Sequence, residues 1–430
     1  MTVCKFGGSS VASTEQLKKV KDIILADKNR QVVIVSAPGK RSKEDEKVTD
    51  LLYECNSIAQ KNLSCKNTFQ KIADRYLEIA NGFKIDTKEL TQVLDGVRCN
   101  IDAGRGTDYA ASRGEYLSAY LFAQIMGWEF LDTADVIIIN SDGTIAPETY
   151  ENIESIMVPG KRYIVPGFYG STSNGQVKTF SRGGSDITGA IFARALNADL
   201  YENWTDVSGI YAADPRVIEN ARVIKTLTYQ QVRELSDVGA SVFHEEAIVP
   251  VIEKEIPIRI KNTNRPQDEG TLIVAKADKT ELVGVSGKPG FSAVRVRKLL
   301  MFKKYGVRHA MLTMMHVFGI RPSYSIYGTD SIVWYFESKQ SSPSILKSMC
   351  ERLKKEFELD EVEVFTDKAV IGLVGDVREA TDYLDAAIAL KDAGIKIRSL
   401  TFGASDYTSL FFIDEDQLKD ALNAIYKRCF

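Results

Sequence analysis

Thr2-Val3-Cys4-Lys5-Phe6-Gly7-Gly8-Ser9-Ser10 stands at the start of the chain, and its reading decides the fold. A short run of strand-forming residues leads directly into two glycines. The next segment, Thr14–Leu25, places Leu17, Val20 and Ile24 on one helical face. Ser13-Thr14-Glu15-Gln16 in front of it reads as a capping box. A second β-type run follows at Gln31–Ser36. Strand, glycine turn, helix and strand in that order is the signature of an α/β layer. Further strand-like runs recur at Asp135–Asn140, Tyr163–Pro166, Leu200–Trp204 and Ile256–Lys261, with helical patterns at Ser112–Met126 and Ile187–Leu196. This predicts an αβα sandwich around a mainly parallel sheet, covered on both faces.

The pattern changes at Asn262–Thr280, where Asn264-Arg265-Pro266-Gln267-Asp268-Glu269-Gly270 is polar and turn-rich. A first domain is therefore expected over 1–275. The remainder reads as two small ferredoxin-like βαββαβ units. The first runs Phe291–Lys298, Tyr305–Phe318, Arg321–Ile326, Ser331–Phe336, Ser342–Phe357 and Glu361–Phe365. The second runs Ala369–Val374, Ala380–Ala393, Lys396–Phe402, Thr408–Ile413 and Gln417–Lys427, and lacks a last strand. Leu282–Ser286 is expected to supply it. The units are then interleaved: 293–366 for one, 281–292 plus 367–430 for the other.

Composition narrows the function classes. Of 430 residues, 44% are hydrophobic and 26% charged, with a net charge of −3. Neither nucleic acid nor an anionic membrane is expected as a partner of so balanced a chain. Six cysteines are scattered without a Cys-x-x-Cys pair, beside three histidines, so neither a disulfide framework nor a structural zinc site is expected. No signal peptide and no membrane-spanning run is evident, which makes the cytoplasm the expected location.

Four short constellations carry chemistry. Lys5 with Gly7, Gly8 and Ser9 offers backbone N–H groups that approach a phosphate closely, beside one positive charge; a plain tight turn is the alternative. Ser181-Arg182-Gly183-Gly184-Ser185-Asp186 opens a helix, whose N-terminus attracts anions; helix capping alone is the alternative. Thr205-Asp206-Val207-Ser208-Gly209-Ile210-Tyr211-Ala212-Ala213-Asp214-Pro215-Arg216 leaves a strand at its C-terminal end, where open α/β sheets bind ligands; a turn with ordinary Asp, Gly and Pro chemistry is the alternative. Ser112-Arg113-Gly114-Glu115 begins a helix, and Glu115 serves either the helix dipole or a substrate ammonium. The charged loop Lys40–Lys47 reads as a solvated surface segment, with a lid as the alternative.

In this order and spacing the constellations resemble the aspartate kinases of the amino acid kinase family. The opening is similar to that family's Lys-Phe-Gly-Gly-(Thr/Ser)-Ser-Val, with Val11 following, and Arg182–Asp186 to its Arg-Gly-Gly-Ser-Asp. Thr205–Arg216 is similar to its Thr-Asp-Val-x-Gly-Ile-Tyr-x-x-Asp-Pro-Arg. The C-terminal units resemble the tandem ACT domains of the same enzymes. The resemblance implies transfer of the γ-phosphate of ATP, with Mg2+, to the side-chain carboxylate of L-aspartate. It implies that Lys5 neutralises charge on the moving phosphoryl group, that Asp186 orients Lys5, and that Gly7, Gly8 and Ser9 cradle the phosphate. Ser36, Thr49, Glu115 and Arg182 would bind aspartate, Glu115 its ammonium and Arg182 its α-carboxylate. Thr205, Asp206, Tyr211 and Arg216 would hold the nucleotide. No dedicated protein cage for the metal is implied. One departure stands out: relatives carry a nucleotide-binding lysine where this chain has Ser241. The ACT units imply feedback by lysine or threonine near Met301–His309 and Ser323–Gly328, in a homodimer joined through them or a tetramer. The competing readings are a sibling kinase acting on glutamate, acetylglutamate, carbamate or UMP, and a non-catalytic amino-acid sensor.

Overall fold

The computed structural model describes residues 1–181, 183–240, 243, 245–277, 282–303, 305–376 and 382–430. They form two units. Met1–Ile210, Val223–Val232 and Ser241–Ala277 make the first; Tyr211–Arg222, Arg233–Ala240 and Asp278–Phe430 make the second. Two short segments, 211–222 and 233–240, thus belong by their contacts with the C-terminal unit.

The first unit runs β1 (Thr2–Phe6), α1 (Thr14–Ala26), β2 (Arg30–Val35), α2 (Val48–Ala59), α3 (Lys66–Gly82), α4 (Thr87–Asp102), α5 (Thr107–Met126), β3 (Glu129–Phe130) and α6 (Glu148–Ile156). It continues with β4 (Tyr163–Pro166), β5 (Tyr169–Ser171), β6 (Val177–Thr179), α7 (Gly184–Ala195), β7 (Leu200–Thr205), β8 (Thr226–Thr228), α8 (Tyr229–Asp237, its end in the second unit), α9 (Val249–Ile252), β9 (Ile258–Asn262) and β10 (Thr271–Val274). Eight of these strands form one sheet in the order β3-β4-β2-β1-β7-β9-β10-β8. Every pair is parallel except β9 with β10. β1 is buried along its whole length, as a strand covered on both faces must be. The Ser13 hydroxyl accepts from the Gln16 N–H at the start of α1, which is the expected cap.

Two features differ from the sequence reading. Asp135–Asn140 is not a sheet strand. A 3-10 turn at Thr133–Asp135 is followed only by single bridges, Ile138 to Ser171 and Ile139 to Ile145. The β5–β6 hairpin and the Thr149 hydroxyl take the hydrogen bonds that a sheet neighbour would have taken. Helices α2, α3 and α4 form a layer that the motifs did not announce. Leu51, Leu52, Phe69, Ile72, Leu94 and Val97 bury it against α5 in one core.

The second unit is a six-stranded antiparallel sheet in the order β12-β13-β11-β14-β16-β15. Its strands are β11 (Gly284–Arg297), β12 (Tyr324–Tyr327), β13 (Ser331–Glu337), β14 (Glu361–Val374), β15 (Ser399–Thr401) and β16 (Thr408–Asp414). Its helices are α10 (Val307–Val317), α11 (Pro343–Glu356), α12 (Asp382–Asp392) and α13 (Leu418–Cys429). β11 and β14 pair along their full length, so Gly284–Lys288 lies beside Val370–Val374 while Phe291–Arg297 lies beside Glu361–Lys368. Two ferredoxin-like halves therefore share one sheet. One buries Val294, Met311, Trp334 and Met349; the other buries Ile371, Leu390, Phe411 and Ile425. Among the described residues, no helix is long and apolar enough to cross a membrane.

Candidate active site

The site grows from the C-terminal ends of β1, β2 and β7. The Ser36 N–H donates to the Phe6 carbonyl, and the Gly7 N–H to the Trp204 carbonyl at 3.0 Å, so the three strands end together. The turn after β1 then meets the loop after β2, where the Gly39 N–H donates to the Gly8 carbonyl at 2.8 Å. Glycine is required at both places. A Cβ on Gly8 would lie 2.9 Å from the Ala37 carbonyl oxygen, and one on Gly39 would lie 2.9 Å from the Gly8 carbonyl carbon. Ser9 is exposed at the tip of the turn, whereas Ser10 is buried and shares a hydrogen bond with Thr263.

Lys5 is buried, and its Nζ lies 2.6 Å from Asp186 Oδ1. Asp186 stands in the first turn of α7, which begins after Gly183 at φ +58°. The backbone after β4 crosses this helix end closely: a Cβ on Gly167 would lie 2.5 Å from Ser185 Oγ, and one on Gly184 would lie 2.5 Å from Phe168 Cδ2. Phe168 itself sits at φ +80°, where L side chains are strained, and its N–H donates to the Thr188 hydroxyl. Such strain persists only where surrounding contacts enforce it, and here they hold the start of α7 beside the ends of the strands. Arg182 lies outside the described residues, as does Ser241. Asn203 was not anticipated from the sequence. Its Oδ1 accepts from Lys5 Nζ at 3.4 Å, and its Nδ2 donates to Asp186 Oδ1 at 2.9 Å.

Glu115 lies on α5, buried, with Oε2 lacking a hydrogen-bond partner among the described residues. Burial pushes its carboxyl up to about 8, against the Ala37 N–H and the Arg113 charge that hold it down. Gly114 makes this approach possible, because a Cβ there would fall 2.6 Å from Ala37 Cβ. The same position would lie 3.5 Å from Val48 Cγ1, so the start of α2 borders α5 at this level. Thr49, in the first turn of α2, and Ser36, at the end of β2, are both half-buried. A cavity of about 930 Å³ opens beside α7, lined in part by Tyr53, Phe180, Ser181 and Ile187.

The remaining expected residues are placed differently. Thr205 ends β7, with its hydroxyl donating to Asp206, and Asp206 is exposed. Tyr211 and Arg216 belong to the second unit; Arg216 is exposed, and its guanidinium grips Asp214. The loop Lys40–Lys47 is largely exposed yet pinned, since Arg75 holds Asp45 through both carboxylate oxygens and also donates to the Gly39 carbonyl. Against the cost of burial, the hydrogen bonds from Arg41 and the charge of Arg75 hold the Asp45 carboxyl far below the usual range. Among the described residues there is no group of three His, Cys, Asp or Glu side chains that could cage a metal. The arrangement is a buried cation at a glycine turn and a helix N-terminus, together with a buried carboxylate on α5 that has an unused oxygen among the described residues. It suits a polyanion meeting a small zwitterion.

Comparison with known proteins agrees with that chemistry. Residues 1–262 match the amino acid kinase family. The chain is 35% identical to aspartokinase 3 of Bacillus subtilis strain 168 over 448 residues, covering 100% of this chain and 99% of that protein. The crystal structure of the aspartate kinase of Clostridium acetobutylicum, described as an allosteric enzyme, matches with a TM-score of 0.95 at 38% identity over 100% of both chains. Aspartokinase III of E. coli, solved in complex with aspartate and ADP, shares the fold with a TM-score of 0.79 at 23% identity, covering 100% of this chain and 99% of that one.

Proposed function

The chain belongs to the amino acid kinase family and is an aspartate kinase, and from that premise we propose that Lys5, Asp186 and the Gly7–Ser9 turn carry the phosphoryl transfer. ATP and the side-chain carboxylate of L-aspartate react to give 4-phospho-L-aspartate and ADP. An oxygen of the β-carboxylate attacks the γ-phosphorus, and the bond from that phosphorus to the bridging oxygen of ADP breaks. The nucleophile is already ionised near neutral pH, so no general base is needed. What remains for the protein is positioning and charge neutralisation.

Lys5 would meet the phosphate oxygens with Asp186 fixing its direction, and the Gly7–Ser9 turn would cradle them through the N–H groups of Gly8 and Ser9, the Gly7 N–H being taken by the Trp204 carbonyl. Glu115 would take the aspartate ammonium, Arg182 its α-carboxylate, and Ser36 and Thr49 would border the same pocket. Thr205, Asp206, Tyr211 and Arg216 would hold the nucleotide. Mg2+ would enter as an ion carried by the nucleotide, keeping water and phosphate oxygens as ligands. When bound, it would supply further positive charge to the phosphates. The observation that carries this reading is the buried Lys5 ammonium at the end of β1, held by Asp186 beside a turn too close-packed for any side chain at Gly8.

The second unit would sense an amino-acid end product, lysine or threonine, and join two chains, or four. The allosteric character of the Clostridium relative supports the sensing role. The cytoplasm remains the proposed location. The test is an assay with Mg-ATP and L-aspartate in which hydroxylamine traps acyl phosphate. Aspartate-dependent hydroxamate is expected, and adding lysine or threonine should name the effector. Folded protein that binds ATP yet gives no hydroxamate with aspartate would transfer the reading to a sibling substrate.

A further inference from the structure

We propose that Asn203 is a positioning residue for the phosphoryl transfer, its side-chain amide locking the Lys5 ammonium and the Asp186 carboxylate into one unit. The inference rests on Lys5 acting at the transferring phosphate.

β7 lies at the centre of the sheet, between β1 and β9. Asparagine is a poor strand former, and an amide buried in an apolar layer is costly unless every polar atom is paired. Asn203 is 3% exposed. Its side chain satisfies neither a helix end nor a turn. The parallel register of β1 and β7 sets it directly opposite Lys5, so both side chains leave the sheet on the same face. α7 covers that face and delivers Asp186.

The chemistry of the partners fixes which way the amide points. An ammonium only donates and a carboxylate only accepts. The oxygen must therefore face Lys5 and the nitrogen Asp186, as the 3.4 and 2.9 Å contacts have it. A carboxylate at this position would supply the first contact but not the second. A leucine of similar size would supply neither. Lys5 and Asp186 are the charged groups facing Asn203, and Tyr201, on the same face of β7, donates its hydroxyl to the Asp186 carbonyl. Cys4 and Glu202 flank the pair in sequence but project from the opposite face of the sheet.

The consequence is geometric. An ammonium held by one carboxylate alone can swing about that contact, whereas two acceptors at an angle define where its remaining N–H points. Among the described residues Lys5 uses two of its three N–H bonds in this way, on Asp186 and Asn203, and keeps one for a phosphate oxygen. Asn203 acts through Lys5 and touches no substrate.

The test uses the full chain and three variants, each assayed for kcat, for KM of ATP and of aspartate, and across pH. Asn203→Leu should lower kcat by roughly 10- to 100-fold, the scale of an ångström-level misplacement, with KM for aspartate within about twofold of wild type. Asn203→Asp should be as slow at high pH but recover as pH falls. Its new carboxyl is forced by the neighbouring Asp186 to take up a proton early, and the protonated form both donates and accepts as the amide does. A merely structural role predicts no such recovery. Lys5→Met separates the two levels: if it turns over normally, the role of Lys5 falls and the Asn203 inference with it. If Lys5→Met is inactive while Asn203→Leu keeps kcat within about twofold, the Asn203 inference alone is overturned. Should Asn203→Leu fail to fold, the Asn203→Asp profile decides, and an acid limb identical to wild type would overturn the proposal.

Discussion

β1 and β7 each supply one member of an ion pair, Lys5 to Asp186 of α7 on one face and Glu202 to Arg30 of β2 on the other, and the two pairs are built differently. On the α1 face, Arg30 holds Glu202 with two hydrogen bonds, of 2.7 and 3.0 Å, while Trp204 Nε1 and the Cys4 thiol also donate to Glu202. The Arg30 guanidinium lies 5.3 Å from the Trp204 ring centre and reaches the Ile23 carbonyl as well. Burial and the Glu202 charge push the Cys4 thiol well above its ordinary range. Each oxygen of this carboxylate is occupied. On the α7 face, Lys5 has Asp186 and Asn203 and one N–H to spare. Each pair has one member on β1 or β7 and one on a neighbouring element, in similar burial, so depth does not set them apart. Saturation does. A closed pair can only hold the fold, while an open one can still meet a ligand.

Substitutions at the two pairs should therefore fail in opposite ways. Lys5→Met should lower kcat by about 10²- to 10³-fold or more, as removal of a charge-stabilising donor does, with the smaller loss of melting temperature of the two, because Asp186 keeps the Asn203 amide and the first turn of α7. Glu202→Ala should do the reverse. Leaving the half-buried Arg30 without its partner should cost up to about 3–5 kcal/mol, on the order of 10 °C in melting temperature for a unit of this size. Activity per folded molecule should stay within a few-fold of wild type. Calorimetry and steady-state kinetics on both proteins decide the matter. A Glu202→Ala enzyme of normal stability but low kcat would dissolve the distinction.

The same contrast explains what could be read from the sequence. β1 and β4 have the expected bounds because strands covered on both faces are continuous apolar runs between polar or glycine residues. The glycine turn, the start of α7 and the long swap between β11 and β14 were legible because each depends on neighbours in sequence or on a missing strand that one run could fill. β11 runs through Gly287–Gly290 as one irregular strand, where the sequence suggests a break, because β14 pairs with it on both sides of the irregularity. Asn203 was not legible: its meaning lies in a register with β1, 198 residues away. Arg75 with Asp45 and the strained Phe168 were hidden likewise, each being a local oddity whose cause sits on another element. Motifs reveal what a site binds, while the residues that aim it come from strand register and helix packing.

Glu115 is another buried ionisable group and sharpens the comparison, since one of its carboxylate oxygens has no partner among the described residues. Its carboxyl is raised by burial from the ordinary 4.5 to about 8. Between those values the folded protein holds a proton that the unfolded chain releases. The contribution to stability is full below about pH 4.5 and is lost as pH rises through about 8. Glu115→Gln should flatten that fall by up to about 1.4 kcal/mol per pH unit, read from denaturation midpoints between pH 5 and 8. An ammonium partner requires the ionised form, so aspartate binding should expel the proton. In the wild type KM for aspartate should fall as pH rises towards 8, whereas in Glu115→Gln it should be raised roughly tenfold and vary little with pH. A flattened stability curve with an unchanged KM would leave Glu115 a buried acid of the scaffold and move the substrate ammonium elsewhere. Both changes together would make it the open counterpart, on the aspartate side, of what Lys5 is on the phosphate side.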